Sequence, residues 1–271
     1  MIEKEETMAA PKALFFDIDG TLLSELNGQI PESAKRAVAQ ARKNGCLAFI
    51  NSGRCKCMLD YLETMIEMDG VLAGCGTDLY FHGERIFYHA LTDEQQQRIV
   101  HADKKYNVGI IAEGCDVNHY RPESSRMEIM NEMKRRTELM NAVSDKSFEG
   151  HYEISKFCIQ ADKESDIETM IHDFEEDFTI MDRRGGFYEC IPKGYDKGEA
   201  IQHICQLLDI PMENVYVFGD SSNDLPMFQV ALKHSTAMKE HDPVLDPYTA
   251  YVTDKVEEHG IEKALKYWGL I

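Results

Sequence analysis

From Pro11 to Val71, short apolar blocks alternate with stretches of helical period. An apolar run at Ala13–Phe16 precedes a helical stretch from Pro31 to Lys43, and a second run at Leu47–Ile50 precedes another over Lys56–Met68. In the first helix Ala34, Val38 and Ala41 keep helical spacing, Pro31 suits the opening turn, and Gly45 suits the position just past the end. This β-α-β-α order predicts a parallel sheet with helices on its faces. The idiom returns near the C-terminus. A helix begins near Asp196 with Ala200, Ile204 and Leu207 on one face. A short buried strand, Val215–Phe218, follows, then a helix over Leu225–Val230 and a last helix over Ile261–Tyr267.

Between these halves the texture changes. Thr92 with Gln95 three residues on forms a capping box ahead of an amphipathic helix, and a strand is expected at Val108–Ala112. A polar helical stretch over Glu123–Met140 follows, then a strand at Lys156–Gln160, a helix at Ser165–Glu176 and a strand at Phe178–Met181. The chain therefore reads as an α/β protein: a Rossmann-like parallel-sheet core of residues 1–83 and 188–271, interrupted by an inserted α/β domain over 84–187. Gly83 and Gly185–Gly186 stand near the ends of the insert and suit hinge crossings between the domains.

Charge narrows the function classes. Over 271 residues, 29 Lys and Arg face 48 Asp and Glu, a net charge of −19. The excess is shared, with −8 on residues 84–187 and −11 on the rest, so it is a solvated surface and not an acidic tail. Long-range repulsion argues against nucleic acid and against an anionic membrane as partners. No segment approaches the roughly 18 apolar residues of a spanning helix, and Met1–Ala10 lacks the pattern of a secretory signal, so the expected location is cytoplasmic. The eight cysteines form no C-x-x-C pair and are expected to be reduced and largely buried. No feature specifies an oligomeric state.

The chemistry concentrates where strands end. Asp17-Ile18-Asp19-Gly20-Thr21 follows Ala13–Phe16 directly, and ligands of parallel α/β sheets bind beyond the carboxyl ends of the strands. Residues two apart in an extended chain point to one side, which would turn both carboxylates to one pocket, one as nucleophile and one as acid and base. Asp19-Gly20 is also a turn signal. Gly219-Asp220-Ser221-Ser222-Asn223-Asp224 follows Val215–Phe218 and opens a helix, where Ser222 or Asn223 could equally cap amides. If both strands lie in one sheet, four carboxylates converge and repel one another unless a cation sits among them. Hard oxygen donors point to a divalent ion, and Mg2+ is favoured because it shares its shell with substrate phosphate. Ser52 and Gly53, in Asn51-Ser52-Gly53-Arg54 after Leu47–Ile50, can offer a hydroxyl and open amides to an anion. Lys197 at the head of a helix can place an ammonium beside the nucleophile.

The order D-x-D-G-T, S-G-R, K-G and G-D-x-x-N-D resembles the haloacid dehalogenase (HAD) superfamily of phosphotransferases. The insert between the second and third motifs resembles its Cof-type branch with the larger α/β cap. The resemblance implies that Asp17 attacks phosphorus, while Asp19 protonates the leaving oxygen and then activates water. It implies Mg2+ held by Asp17, the backbone carbonyl of Asp19 and Asp220, with Asp224 in or beside that shell. Ser52, Gly53 and Lys197 would bind the transferring oxygens, and Asn223 would orient the phosphoryl group or Lys197. The substrate implied is a small phosphorylated metabolite, a sugar phosphate first of all, under a covering cap whose candidate contacts include Arg183 and Arg184. A phosphomutase using the same intermediate and a non-catalytic phosphate-responsive module are the alternatives. The chain departs from the pattern at Gly74-Cys75-Gly76-Thr77, where N-G-A is usual, and at Ala237-Met238-Lys239-Glu240-His241, where A-M-G-N-A is common.

Overall fold

The computed structural model describes residues 10–120, 128–139, 143–144 and 153–271. The chain divides into two compact units, Met1–Asn51, Ile66–Gly70 and Lys197–Ile271 forming the first, Ser52–Met65 and Val71–Asp196 the second. Elements are numbered in chain order.

The first unit contains β1 (Ala13–Phe16), α1 (Glu32–Lys43), β2 (Leu47–Asn51), α5 (Lys197–Leu207), β12 (Val215–Gly219), α6 (Leu225–Val230), β13 (Ser235–Ala237), β14 (Tyr251–Val252) and α7 (Gly260–Tyr267). Its strands run in the order β14-β13-β12-β1-β2, all parallel. β1 lies between two neighbours, Ala13 opposite both Val215 and Leu47, Phe16 opposite both Phe218 and Ile50. All four of its residues are buried, so both faces of the strand are covered as well as both edges, which is why it is continuously apolar and not alternating. Phe15 stacks on Phe49 and Phe16 on Phe218, with centroids 4.9 and 4.5 Å apart. In-register parallel pairing delivers the residues after Phe16, Ile50 and Phe218 to one edge of the sheet. α1 buries Ala34, Ala37, Val38 and Ala41, and its Arg42 forks onto Asp69 at 3.0 and 2.8 Å while Asp69 accepts the Ala48 amide.

The second unit contains the last three residues of β3 (Gly70–Ala73), then β4 (Asp78–Phe81), β5 (Glu84–Tyr88), α2 (Asp93–Tyr106), β6 (Gly109–Gly114), β7 (Asn118–Tyr120), α3 (Glu128–Leu139), β8 (Val143–Ser144), β9 (Ile154–Gln160), α4 (Ile167–Phe174), β10 (Phe178–Asp182) and β11 (Phe187–Pro192). Six strands form a sheet in the order β10-β11-β9-β6-β7-β8, antiparallel except for β7 with β8. α2 and α4 supply Ile99, Ala102, Tyr106, Met170 and Phe174 to a core shared with Ile110, Phe157 and Phe178 of the sheet. The capping box forms: Thr92 accepts from the Gln95 amide, and the Gln95 side chain accepts from the Thr92 amide.

Four expectations change. Lys56–Met68 is two short 3-10 turns, Lys56–Met58 and Asp60–Thr64, and not one α-helix. The amides there donate three residues back, Met58 to the Cys55 carbonyl, Leu59 to Lys56, Leu62 to Leu59 and Met65 to Leu62, which is the 3-10 and not the α-helical pattern. Gly83 is no hinge: with His82 it forms the two-residue left-handed turn of the β4–β5 hairpin, φ 48° and 81°. Gly185 and Gly186 likewise turn the β10–β11 hairpin, and a Cβ at Gly186 would lie 2.3 Å from the Ala161 carbonyl oxygen. The boundary drawn at 187/188 therefore falls inside β11, which pairs with both β9 and β10. On α5 Leu207 is exposed, and Ile201 joins Ala200 and Ile204 inside. α3 covers Glu128–Leu139, and the rest of Glu123–Met140 lies outside the described residues.

Candidate active site

At the carboxyl edge of the first unit's sheet, the residues after β1 and β12 meet the head of α5. One carboxylate oxygen from each of Asp17, Asp220 and Asp224 lies within 4.8 Å of the others. Lys197 Nζ donates to Asp17 Oδ1 at 2.5 Å and to Asp224 Oδ1 at 2.6 Å, with its side chain 1% exposed. Asp224 Oδ2 accepts the amides of Asp220 and Ser221 at 2.9 and 3.0 Å, which folds the loop back onto itself. A Cβ on Gly219 would stand 2.6 Å from that same oxygen, so the approach requires glycine there.

The electrostatics follow from crowding acids in a buried place. Burial first, and then the charge of Asp224, push the Asp17 carboxyl up to about 7 against the pull of Lys197. Burial and the neighbouring Asp17 and Asp224 likewise push Asp220 up to about 8, although Thr21 donates to it at 2.6 Å. Burial works against the Lys197 charge, but Asp17 and Asp224 outweigh it and raise its pKa. Asp17 and Asp220, raised above the ordinary carboxylate range, are short of positive charge even with Lys197 bonded to Asp17. Their hard oxygen donors fit a divalent cation, which Asp17, Asp220 and Asp224 would hold.

Asp19 stands differently. The extended alternation stops at Asp17, because the amides of Thr21, Leu22 and Leu23 all turn back to the Ile18 carbonyl and Asp19 bridges to Leu23. Its carboxylate is not part of the acidic group, and the residue is half-buried where Asp17 is buried. Asn223 lies in the Ser222–Asp224 turn and accepts from the Ser221 hydroxyl. Ser52 and Gly53 belong to the second unit, where buried Ser52 accepts the Arg54 amide at 3.1 Å. Two contributors were missed by sequence reasoning. Thr21 holds Asp220, and Asn51 donates from Nδ2 to the Lys197 carbonyl at 2.8 Å, tying the end of β2 to the head of α5. Both stood inside motifs already singled out, which was the available signal.

An acidic group with an embedded lysine, at the carboxyl edge of a parallel sheet, is the arrangement of an α/β protein equipped to hold a cation and an anionic group together. The chain belongs to the haloacid dehalogenase-like hydrolase family, whose model matches residues 14–265. Within it the chain is a Cof-type phosphatase, a phosphomonoester hydrolase, and phosphatases of this family generally use a metal ion. It is 26% identical over 264 residues to the "Putative phosphatase YkrA" of Bacillus subtilis (strain 168), covering 96% of this chain and 98% of that one. A solved structure from Geobacillus kaustophilus HTA426 aligns with TM-score 0.84 at 23% identity, covering 96% of this chain and all of that one. The HAD subclass IIB sugar phosphatase BT4131 aligns with TM-score 0.73 at 24% identity, with 96% and 100% covered. No helix among the described residues is long and apolar enough to cross a membrane.

Proposed function

We propose that the enzyme is a Mg2+-dependent phosphatase of small phosphorylated metabolites, sugar phosphates foremost, working through an aspartyl phosphate on Asp17. The observation that carries this reading is the Asp17–Lys197–Asp224 bridge with Asp220 beside it. Bound Mg2+ supplies a concentrated positive charge that neutralises phosphoryl oxygens and holds Asp17 ionised. An Asp17 carboxylate oxygen forms the bond to phosphorus as the bond to the leaving oxygen breaks, and Asp19 gives that oxygen its proton. Asp19, now a carboxylate, takes a proton from water, whose oxygen attacks phosphorus and frees Asp17 and phosphate. Asp19 lies outside the buried acidic group, and solvent access suits a residue that must exchange protons with water.

Ser52, Gly53 and Lys197 are assigned the transferring oxygens, Asn223 their orientation, and the inserted segment the choice of leaving group. The sugar-phosphate preference takes support from BT4131, which bears that description. A cytoplasmic setting agrees with eight free, buried thiols. The test is release of inorganic phosphate from an aryl phosphate and from a panel of phosphorylated sugars. Asp17→Asn is expected to lose turnover by about 10³-fold or more, and excess chelator to abolish it. Near-normal activity in either case overturns the mechanism, and isomerised sugar phosphate without phosphate release would mark a mutase.

A further inference from the structure

Asn51 closes β2 with a fully buried amide, 0% exposed. Its Nδ2 donates to the Lys197 carbonyl at 2.8 Å and to Met227 Sδ at 3.2 Å. A carbonyl and a thioether only accept, so the NH2 group faces both and Oδ1 points away from them. Among the described residues Oδ1 meets no hydrogen-bond donor. A buried acceptor without a donor is a cost that an apolar side chain of the same shape would avoid. Packing alone therefore does not account for the amide, and its use lies in the N–H groups.

Those N–H groups reach the place where three elements converge. β2 supplies Asn51, α5 opens with Lys197, and α6, which follows Asp224, contributes Met227. The two helices are pressed together there, since a Cβ on Gly198 would lie 2.6 Å from the Pro226 carbonyl oxygen. β1 runs beside β2 with Phe16 opposite Ile50, so Asp17 and Asn51 leave the sheet at the same level. Asn51 thus ties the backbone of Lys197 to the strand next to the one that carries Asp17. A lysine has a flexible four-carbon stem, so the place of its ammonium depends on where its backbone is fixed as well as on its partners. Lys197 Nζ has to meet Asp17 Oδ1 at 2.5 Å and Asp224 Oδ1 at 2.6 Å together. Releasing the Lys197 carbonyl frees the head of α5 to move, and the ammonium with it.

We propose that Asn51 is a positioning residue for Lys197: its side-chain amide fixes the head of α5 on β2 and so holds the ammonium where it meets Asp17, Asp224 and the transferring phosphoryl oxygens. The inference rests on the phosphatase reading, which assigns those oxygens to Lys197. Met227 Sδ is the weaker of the two acceptors, and its contact is expendable.

The test measures phosphate release from an aryl phosphate with Mg2+, inhibition by inorganic phosphate, and the thermal midpoint, in wild type, Asn51→Leu, Asn51→Ala and Met227→Leu. Asn51→Leu keeps the branching at Cγ and removes both the N–H donor and the unpaired acceptor, so its midpoint is expected to stay near that of wild type. Its kcat is expected to fall about tenfold and its inhibition constant for inorganic phosphate to rise about threefold or more, because Lys197 meets phosphoryl oxygens in both complexes. A purely structural role would shrink the active fraction, which lowers apparent kcat and leaves that constant alone. Asn51→Ala carries the same two readouts should Asn51→Leu fail to fold. Met227→Leu conserves volume and keeps the bond to the Lys197 carbonyl, and it is expected to stay within about twofold of wild type in both. An unchanged inhibition constant in the Asn51 variants, losses in Met227→Leu as large as theirs, or failure of both Asn51 variants to fold would overturn the positioning role and leave the phosphatase reading standing. Wild-type protein that releases no phosphate would overturn both.

Discussion

Residue by residue, the acidic group is legible in sequence because each member stands at a topologically marked place. Asp17 follows an apolar run, Asp220 follows another, Asp224 opens a helix and Lys197 heads one. Parallel strands then do the assembling. What could not be read is how close the backbone must come. Gly219 looked like part of a loop signal, whereas the structure shows it as the space that lets Asp224 Oδ2 receive the amides of Asp220 and Ser221. Gly219→Ala would put a methyl 2.6 Å from that oxygen, and forced close contacts of this kind cost about 1–3 kcal/mol or displace the group. Displacing Asp224 removes one of the two carboxylates holding Lys197. We therefore expect Gly219→Ala to lower kcat on an aryl phosphate at least about tenfold and to weaken divalent-ion affinity, measured by activity against ion concentration. Wild-type kcat and ion dependence in a folded variant would show that Asp224 does not need that space.

At the scale of elements, the regular ones were readable and the junctions were not. β1, α1, β2, β12 and α6 fall where periodicity put them, within a residue or so at their ends. Lys56–Met68 misled because Cys57, Met58, Leu62 and Ile66 are all buried and spaced as on a helix, yet the amides of Met58, Leu59, Leu62 and Met65 bond three residues back and wind separate 3-10 turns. Glycines near a change of texture were read as hinges, but left-handed pairs joining antiparallel strands make them hairpin turns, a distinction invisible until the pairing is known. The α2 capping box was readable because its two partners are three residues apart and need no tertiary information. Thr92→Ala removes the acceptor for the Gln95 amide and should cost about 1 kcal/mol of stability in the unit that α2 packs into. Urea unfolding followed by far-ultraviolet circular dichroism would register it as a lower midpoint at unchanged slope. An unshifted midpoint would mean that tertiary packing alone holds that end of the helix.

Over the whole molecule, the charge of −19 hides groups that respond to pH in opposite senses. Glu189, held at about 2 against an ordinary 4.5, contributes stability that is complete above the unfolded value and is lost as pH falls through 2. Burial lowers the pKa of His89, His119 and His234 below 6.5, so these favour the folded state increasingly up to that pH. Asp17 and Asp220 act the other way. Unfolded, they release protons near 3.8, whereas folded they retain them to about 7 and about 8, so raising the pH favours the unfolded chain until both have ionised. With the histidine effect finished, the metal-free protein should lose stability between about pH 6.5 and 8. A divalent ion binds the ionised carboxylates and releases their protons, so the stabilisation it brings should grow over the same interval. Thermal midpoints in excess chelator and in millimolar Mg2+ test both halves of the argument: a falling chelated curve, and a gap that widens towards about pH 8. A gap of constant size would place the ion elsewhere than on Asp17 and Asp220, and a chelated curve that rises would mean that these two acids ionise in the folded protein as they do in water.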